Sequence, residues 1–132
     1  MELSLEGKVA LVNGASAGLG LASAVELAQL GATVILMARN EEKVQQALEQ
    51  LPKPNFQHHR IAVADMNQLE TVSVAVEKIL SEQPVHILVN NTGGPAAGPV
   101  HTAELSAFES AFRQHLLGNH LLATSVLPGM KA

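Results

Sequence analysis

Gly14, Gly18 and Gly20 stand between an apolar run and a helical pattern, a placement in which bare backbone can hold a phosphate. Val9-Ala10-Leu11-Val12 reads as a strand buried on both faces of a parallel sheet, and Leu19-Gly20-Leu21-Ala22 opens a helix that lasts to Leu30. In such a strand-turn-helix the first glycine permits a turn too tight for a side chain. The second lets the backbone approach a pyrophosphate, and the third allows close packing of helix on strand. The alternative is that the glycines serve only a sharp turn. Arg39 follows the second apolar run, where a carboxylate would suit the ribose hydroxyls of NAD and an arginine suits the 2′-phosphate of NADP. Ala38-Arg39-Asn40 has no acid at that position, although Arg39 has a second reading as a surface residue paired with Glu41 or Glu42. Ala17 occupies the place before the middle glycine, so the turn brings no second cation.

Other chemistries are absent or badly spaced. The chain has no cysteine for disulfide or thiol chemistry and no tyrosine to act as acid or base. His58 and His59 are adjacent on an expected strand and point to opposite faces, while His115 and His120 are five apart on a helix and diverge. Neither pair chelates a metal, and no metal site is expected. A formal charge of −4 with three Phe and no Trp or Tyr provides no basic footprint and no stacking platform, so nucleic acid is not an expected partner. The 132 residues, 47% hydrophobic, suit one domain with a real core. Met1-Glu2-Leu3-Ser4-Leu5-Glu6 is acidic where a signal peptide is basic. No apolar run approaches the roughly 18 to 20 residues of a membrane span. A cytoplasmic protein without membrane contact is the expectation.

The elements that position these residues alternate along the chain. Gly31 ends the first helix, and Thr33-Val34-Ile35-Leu36-Met37-Ala38 is a second buried strand. Asn40 caps a helix with Glu41 and Glu42 in its first turn and Val44, Ala47, Leu48 and Leu51 on its inner face. A third strand lies within residues 56–64. Asp65 and Gln68 make a capping-box-like start to a helix carrying Leu69, Val72, Val76, Ile79 and Leu80 at helical spacing. A fourth strand spans 85–89, and a Gly/Pro-rich loop spans 91–99. Ser106 with Glu109 forms another capping box, opening a long helix through Leu127. This alternation calls for right-handed crossovers and a doubly wound parallel sheet of the α/β class.

Four segments carry a resemblance. Asn13-Gly14-Ala15-Ser16-Ala17-Gly18-Leu19-Gly20, Ala64-Asp65-Met66, Leu88-Val89-Asn90-Asn91-Thr92-Gly93 and Val126-Leu127-Pro128-Gly129-Met130 occur in the order and at about the spacing of the short-chain dehydrogenase/reductase family. The variant Thr92-Gly93-Gly94-Pro95 is most similar to members resembling 3-oxoacyl-(acyl-carrier-protein) reductases. The resemblance covers the whole chain, but the chain covers about the first half of a family member. It implies a Rossmann-like sheet truncated after its fourth βα unit, one NAD(P)-binding domain over residues 1–132, and NADP as cofactor with NAD as the alternative. By the same resemblance Gly14, Ser16, Gly18, Leu19 and Gly20 line the pyrophosphate, and Asp65 accepts from the adenine amino group with Met66 beside the ring. Asn90 and Gly93 border the adenosine ribose and the nicotinamide side. Asn13 stands where the family usually has threonine, and Thr92 where it usually has alanine.

The family's serine, tyrosine and lysine belong to segments beyond this helix, so the resemblance implies a cofactor-binding portion that is inactive alone. Counting back from Val126-Leu127-Pro128, the asparagine that holds a relay water aligns with His115. Two other readings stay open: a non-catalytic dinucleotide-binding or sensing module, and a remnant that does not fold. Phe108, Phe112 and Leu116, then Leu122 and Val126, make apolar rows at four-residue spacing. The family's use of this helix at a subunit contact implies a homo-oligomer through it.

Overall fold

Strongly apolar five- and six-residue runs become the centre of the sheet, and shorter or more polar runs become its edges. The computed structural model describes residues 3–93 and 97–132; Met1, Glu2 and the Gly94-Pro95 part of the loop variant lie outside it. Its elements are β1 (Val9–Asn13), α1 (Gly18–Gln29), β2 (Thr33–Ala38), α2 (Glu41–Leu48), β3 (Arg60–Val63), α3 (Leu69–Glu82) and β4 (Ile87–Val89). There follow a short 3-10 turn (Val100–Thr102), α4 (Leu105–Phe112), a π-helical turn (Arg113–Gly118) and α5 (Asn119–Lys131). The strands are all parallel in the order β3-β2-β1-β4, with Leu11 opposite Ile35 on one side and Leu88 on the other.

The two-residue period of the central strands divides the core. Ala10, Val12, Val34 and Leu36 face α1 and α2, packing on Ala24, Ala28, Val44 and Ala47. Val9, Leu11, Ile35 and Met37 face α3 and α5, packing on Val72, Val76, Ile79, Leu122 and Val126. The fold is therefore the doubly wound one that the alternation demands, with apolar burial on both sheet faces as its main support. Gly31 lies at φ +104°, just beyond the end of α1, and the Asn40 side chain accepts from the Lys43 N–H at 2.9 Å to cap α2.

Several boundaries differ from the sequence pattern. Leu51 is buried but lies past the end of α2, because the chain turns there by a Leu51 N–H to Leu48 C=O bond. Asp65 does not cap α3: the helix starts at Leu69, and the Thr71 hydroxyl accepts from the Asp65 N–H at 2.9 Å to close the preceding turn. Ser106 and Glu109 form no capping box, since α4 begins at Leu105 and Ser106 is already inside its first turn. The last helical stretch continues beyond Leu127 to Lys131 with Pro128 inside it. Proline there removes a single N–H near the helix end, a tolerable loss. The rows on this stretch split, with Leu122 and Val126 in the core while Phe108, Phe112 and Leu116 are about half exposed.

His58 and His59 precede β3 instead of lying on it, and only His59 is buried. Its Nδ1 accepts from the Val34 N–H at 3.0 Å, so the ring hydrogen sits on Nε2, which donates to the Pro52 carbonyl at 2.8 Å. His86 makes the same kind of contact at the start of β1, accepting from the Val9 N–H at 2.9 Å. Burial is the largest influence on His59 and holds its pKa below the ordinary value. A second proton would put a donor at Nδ1 against the Val34 N–H. The folded state thus binds fewer protons than the unfolded state, and stability falls as pH drops below the unfolded histidine value near about 6.5. Denaturant midpoints will be lower at mildly acid pH than in mildly alkaline solution. His59→Gln will show a smaller pH difference and, at alkaline pH, a lower midpoint, corresponding to an unfolding free energy smaller by about 1 to 3 kcal/mol for an orphaned Val34 N–H.

Candidate functional site

In an open parallel sheet the strand order reverses where two neighbouring strands send their crossovers to opposite faces, and the crevice lies beyond their C-terminal ends. Here that point is between β1 and β4. A cleft of about 300 Å³ opens at this end, walled by residues that include Asn13, Gly14, Ser16, Arg39, Asp65, Met66, Asn67, Asn91, Thr92 and Gly93. A larger groove of about 690 Å³ runs between β3 and α3, but its walls are mostly aliphatic with surface charges such as the Arg60–Glu82 ion pair. Convergent polar groups belong to the smaller cleft.

The glycine turn is built by close approach. A side chain on Gly20 would overlap the Gly14 carbonyl, and one on Gly14, which sits at φ +62°, would overlap the Asn91 carbonyl. The Asn91 Nδ2 donates to the Gly14 oxygen at 3.1 Å, tying the end of β4 to the turn. Gly18 differs: its φ is +59°, yet a side chain there would meet nothing within 4 Å. The space above Gly18 is open. Ala17 offers α1 no side-chain cap, the first turn has no acid, and the Gly18, Leu19 and Gly20 N–H groups have no partner among the described residues. These free donors stand at the positive end of a 12-residue helix. Leu19 beside them is 81% exposed.

The remaining walls come from three strand ends. Asn13 is buried at the end of β1, lines the cleft, and has an Nδ2 with no partner among the described residues. Arg39, exposed after β2, pairs with neither Glu41 nor Glu42; the Arg60–Glu82 contact is the ion pair found among the described residues. Asp65 after β3 uses Oδ1 to accept from the Asn67 N–H at 2.9 Å, and its other oxygen has no partner among those residues. Asn90 is exposed at the end of β4 and does not line the cleft. The two-residue period turns Asn91, not Asn90, to the side of Ile87 and Val89, toward α1. Sequence reasoning passed over Asn91; its signal was an adjacent amide in the polar run directly after a buried strand.

The π-helical turn forms a further wall and was not legible in the sequence. Two contacts from the turn and one from the end of α4 hold this stretch to cleft loops. Asn67 Oδ1 accepts from Ser110 Oγ and Gln114 Nε2, each at 2.8 Å, and Thr92 Oγ1 is hydrogen-bonded to His115 Nδ1. Met66 fills the space a side chain at Gly118 would need. Turns of this kind recur at functional sites because they re-aim side chains within a helix. No group of three metal-ligating side chains occurs among the described residues, and none of their helices is long and apolar enough to cross a membrane.

Residues 8–132 match the family described as short chain dehydrogenase. The chain belongs to that family. A curated relative, an uncharacterized oxidoreductase of Schizosaccharomyces pombe, is 36% identical over 96% of this chain and 38% of its own length. Among solved structures, L-sorbose reductase from Gluconobacter frateurii, complexed with NADPH and L-sorbose, superposes with a TM-score of 0.90. It is 29% identical, over 99% of this chain and 50% of that one. A metagenomic short-chain oxidoreductase in complex with NADP has a TM-score of 0.86 at 30% identity, over 96% of this chain and 57% of that one. The chain thus spans about half the length of these short-chain dehydrogenase structures and less than half of the curated relative.

The geometry separates the glycines by role. Gly20→Ala forces a methyl group into a backbone oxygen and will lower stability by about 1 to 3 kcal/mol or more. Gly18→Ala incurs only the left-handed backbone cost, about 1 to 2 kcal/mol. Thermal unfolding followed by circular dichroism will rank Gly20→Ala as the less stable variant.

Proposed function

We propose that the chain is the NADP(H)-binding portion of a short-chain oxidoreductase acting on a carbonyl or alcohol substrate. One observation carries the reading: an uncapped helix N-terminus follows directly on the Gly14 and Ser16 wall of the strand-end crevice, an unpaired arginine stands on the same wall, and the residue directly after β2 is that arginine and not an acid. The NADPH and NADP bound by the two structural relatives support it. The cleft suits such a ligand on its own terms, through the open space above Gly18 and the unpartnered Asn13 amide.

In this reading Gly14, Ser16, Gly18, Leu19 and Gly20 hold the pyrophosphate, and Arg39 meets the 2′-phosphate. Asp65 accepts from the adenine amino group through its free oxygen while its Oδ1 keeps the Asn67 turn closed. Met66 lies beside the ring, and Asn13 and Gly93 serve the ribose and nicotinamide side, while Asn90, outside the cleft wall, takes no part. The bound nicotinamide supplies hydride chemistry. The accompanying proton has no tyrosine source among these 132 residues, which is why the reading stops at a binding portion.

Calorimetric titration will show tighter binding of NADPH than NADH, by roughly ten- to hundredfold for a charge-assisted bond to phosphate. Arg39→Ala will bring the two affinities together; equal affinities in the unaltered chain would remove the 2′-phosphate assignment.

We further propose that the chain self-associates through α4. Phe108, Phe112 and Leu116 lie about half exposed at four-residue spacing, with Leu105 80% exposed one turn earlier, an apolar face suited to a second copy. Light scattering after size exclusion will give a dimer at tens of micromolar. Because Phe112 is outside the core, Phe112→Glu will yield a folded monomer, and an unaltered monomer at that concentration would exclude the contact.

A further inference from the structure

Thr92 lines the cleft and His115 does not, so any influence of the imidazole on a ligand passes through the threonine hydroxyl. The hydroxyl has one hydrogen and two lone pairs, while Nδ1 carries either a lone pair or a hydrogen. With the ring hydrogen on Nε2, the Thr92 O–H donates to Nδ1 and presents only lone pairs to the cleft. When Nδ1 takes a proton from solvent, it must donate to Oγ1. The hydroxyl then keeps its own hydrogen and rotates it about the Cβ–Oγ1 bond, away from the imidazolium and toward the cleft.

We propose that His115 sets the hydrogen-bonding sense of Thr92: an acceptor toward the ligand when the imidazole is neutral, a donor when it is protonated. A ligand amide or hydroxyl donor is favoured in the first state and a carbonyl or phosphate oxygen in the second. His115 is a positioning residue here, since no proton passes to the ligand. Thr92 is its side-chain hydrogen-bond partner among the described residues. The charged or titratable groups on the elements around the turn are Asp65 before α3, Glu109 on α4, Arg113 within the turn, His120 and, at the far end, Lys131 on α5, and Arg39 on the cleft wall. None makes an ion pair or side-chain hydrogen bond with His115 among those residues. Thr92 is therefore the group that feels the change of proton.

The ring half of the proposal stands without any ligand, and the ligand half rests on the NADP(H) reading, so two measurements on the full chain separate them. Long-range nitrogen–proton NMR of the unliganded chain will show neutral His115 bare at Nδ1. Thr92→Val will shift the tautomer ratio and Thr92→Ser will restore it. A hydrogen on Nδ1 in the neutral ring, or identical ring signals in the unaltered chain and Thr92→Val, overturns the proposal. Fluorescence titrations with NADPH and with NADH, in mildly acid and mildly alkaline buffer, then read the ligand side. The 2′-phosphate of NADPH titrates near about pH 6, so the quantity compared is the ratio of the unaltered Kd to the Thr92→Val Kd at each pH. That ratio will change between the two pH values by about two- to tenfold for both nucleotides, the range of one neutral hydrogen bond. In a His115→Asn background it will stay constant. A pH-independent ratio in the unaltered chain overturns the ligand half. Failure of both nucleotides to bind overturns the cofactor reading, and the NMR result still decides the ring half.

Discussion

The carbonyl oxygen of Gly14 joins the elements that make the cleft. Gly20 of α1 lies so close that no side chain fits between them, and the Asn91 amide reaches the same oxygen from the end of β4. One acceptor therefore fixes the distance from β1 to both its helix and its neighbouring strand. Bare backbone at two glycines is the condition for this approach. The same tightness fixes the first turn of α1 beside the strand ends, with its leading N–H groups free among the described residues and the space over Gly18 open.

A second set of contacts determines the far wall. Asn67, Met66 and Thr92 come from loops after β3 and β4, yet each engages the helical stretch from Ser110 to Gly118. The π-helical turn lies within that stretch and brings Gln114 to the cleft wall and His115 to Thr92. Beyond the turn α5 buries Leu122 and Val126 against the sheet, while before it α4 leaves its phenylalanines outward. One helical run thus serves the core at one end and an exposed apolar face at the other, with the cleft contacts between them.

Electrostatics sort the walls of the crevice. The helix end and Arg39 are positive, and neither is neutralised by a neighbouring acid among the described residues. Asp65 keeps one oxygen free for a donor while the other holds its own turn closed. The opposite ends of the strands are closed by neutral groups, with His59 and His86 accepting the leading N–H groups of β2 and β1. Polar side chains there finish the backbone ladder, while those at the crevice are left with unmet hydrogen-bonding capacity.

The doubly wound sheet, the glycine turn, the Asn40 cap and Gly31 were legible in the sequence because each rests on local rules: a two-residue or helical period, a side-chain oxygen three residues from an N–H, a residue free to take positive φ. Membership in the short-chain dehydrogenase family was equally legible, since its motifs are short and ordered along the chain. Asp65 and Ser106 carried the right residue types for helix caps, but the helices began elsewhere, because Thr71 closed one turn and the chain entered α4 at Leu105. Asn91 as the brace on Gly14, the π-helical turn and the Thr92–His115 pair belong to tertiary structure alone. Each joins residues more than twenty positions apart or depends on how a helix is held from outside, and no local period records which distant side chain will be waiting there.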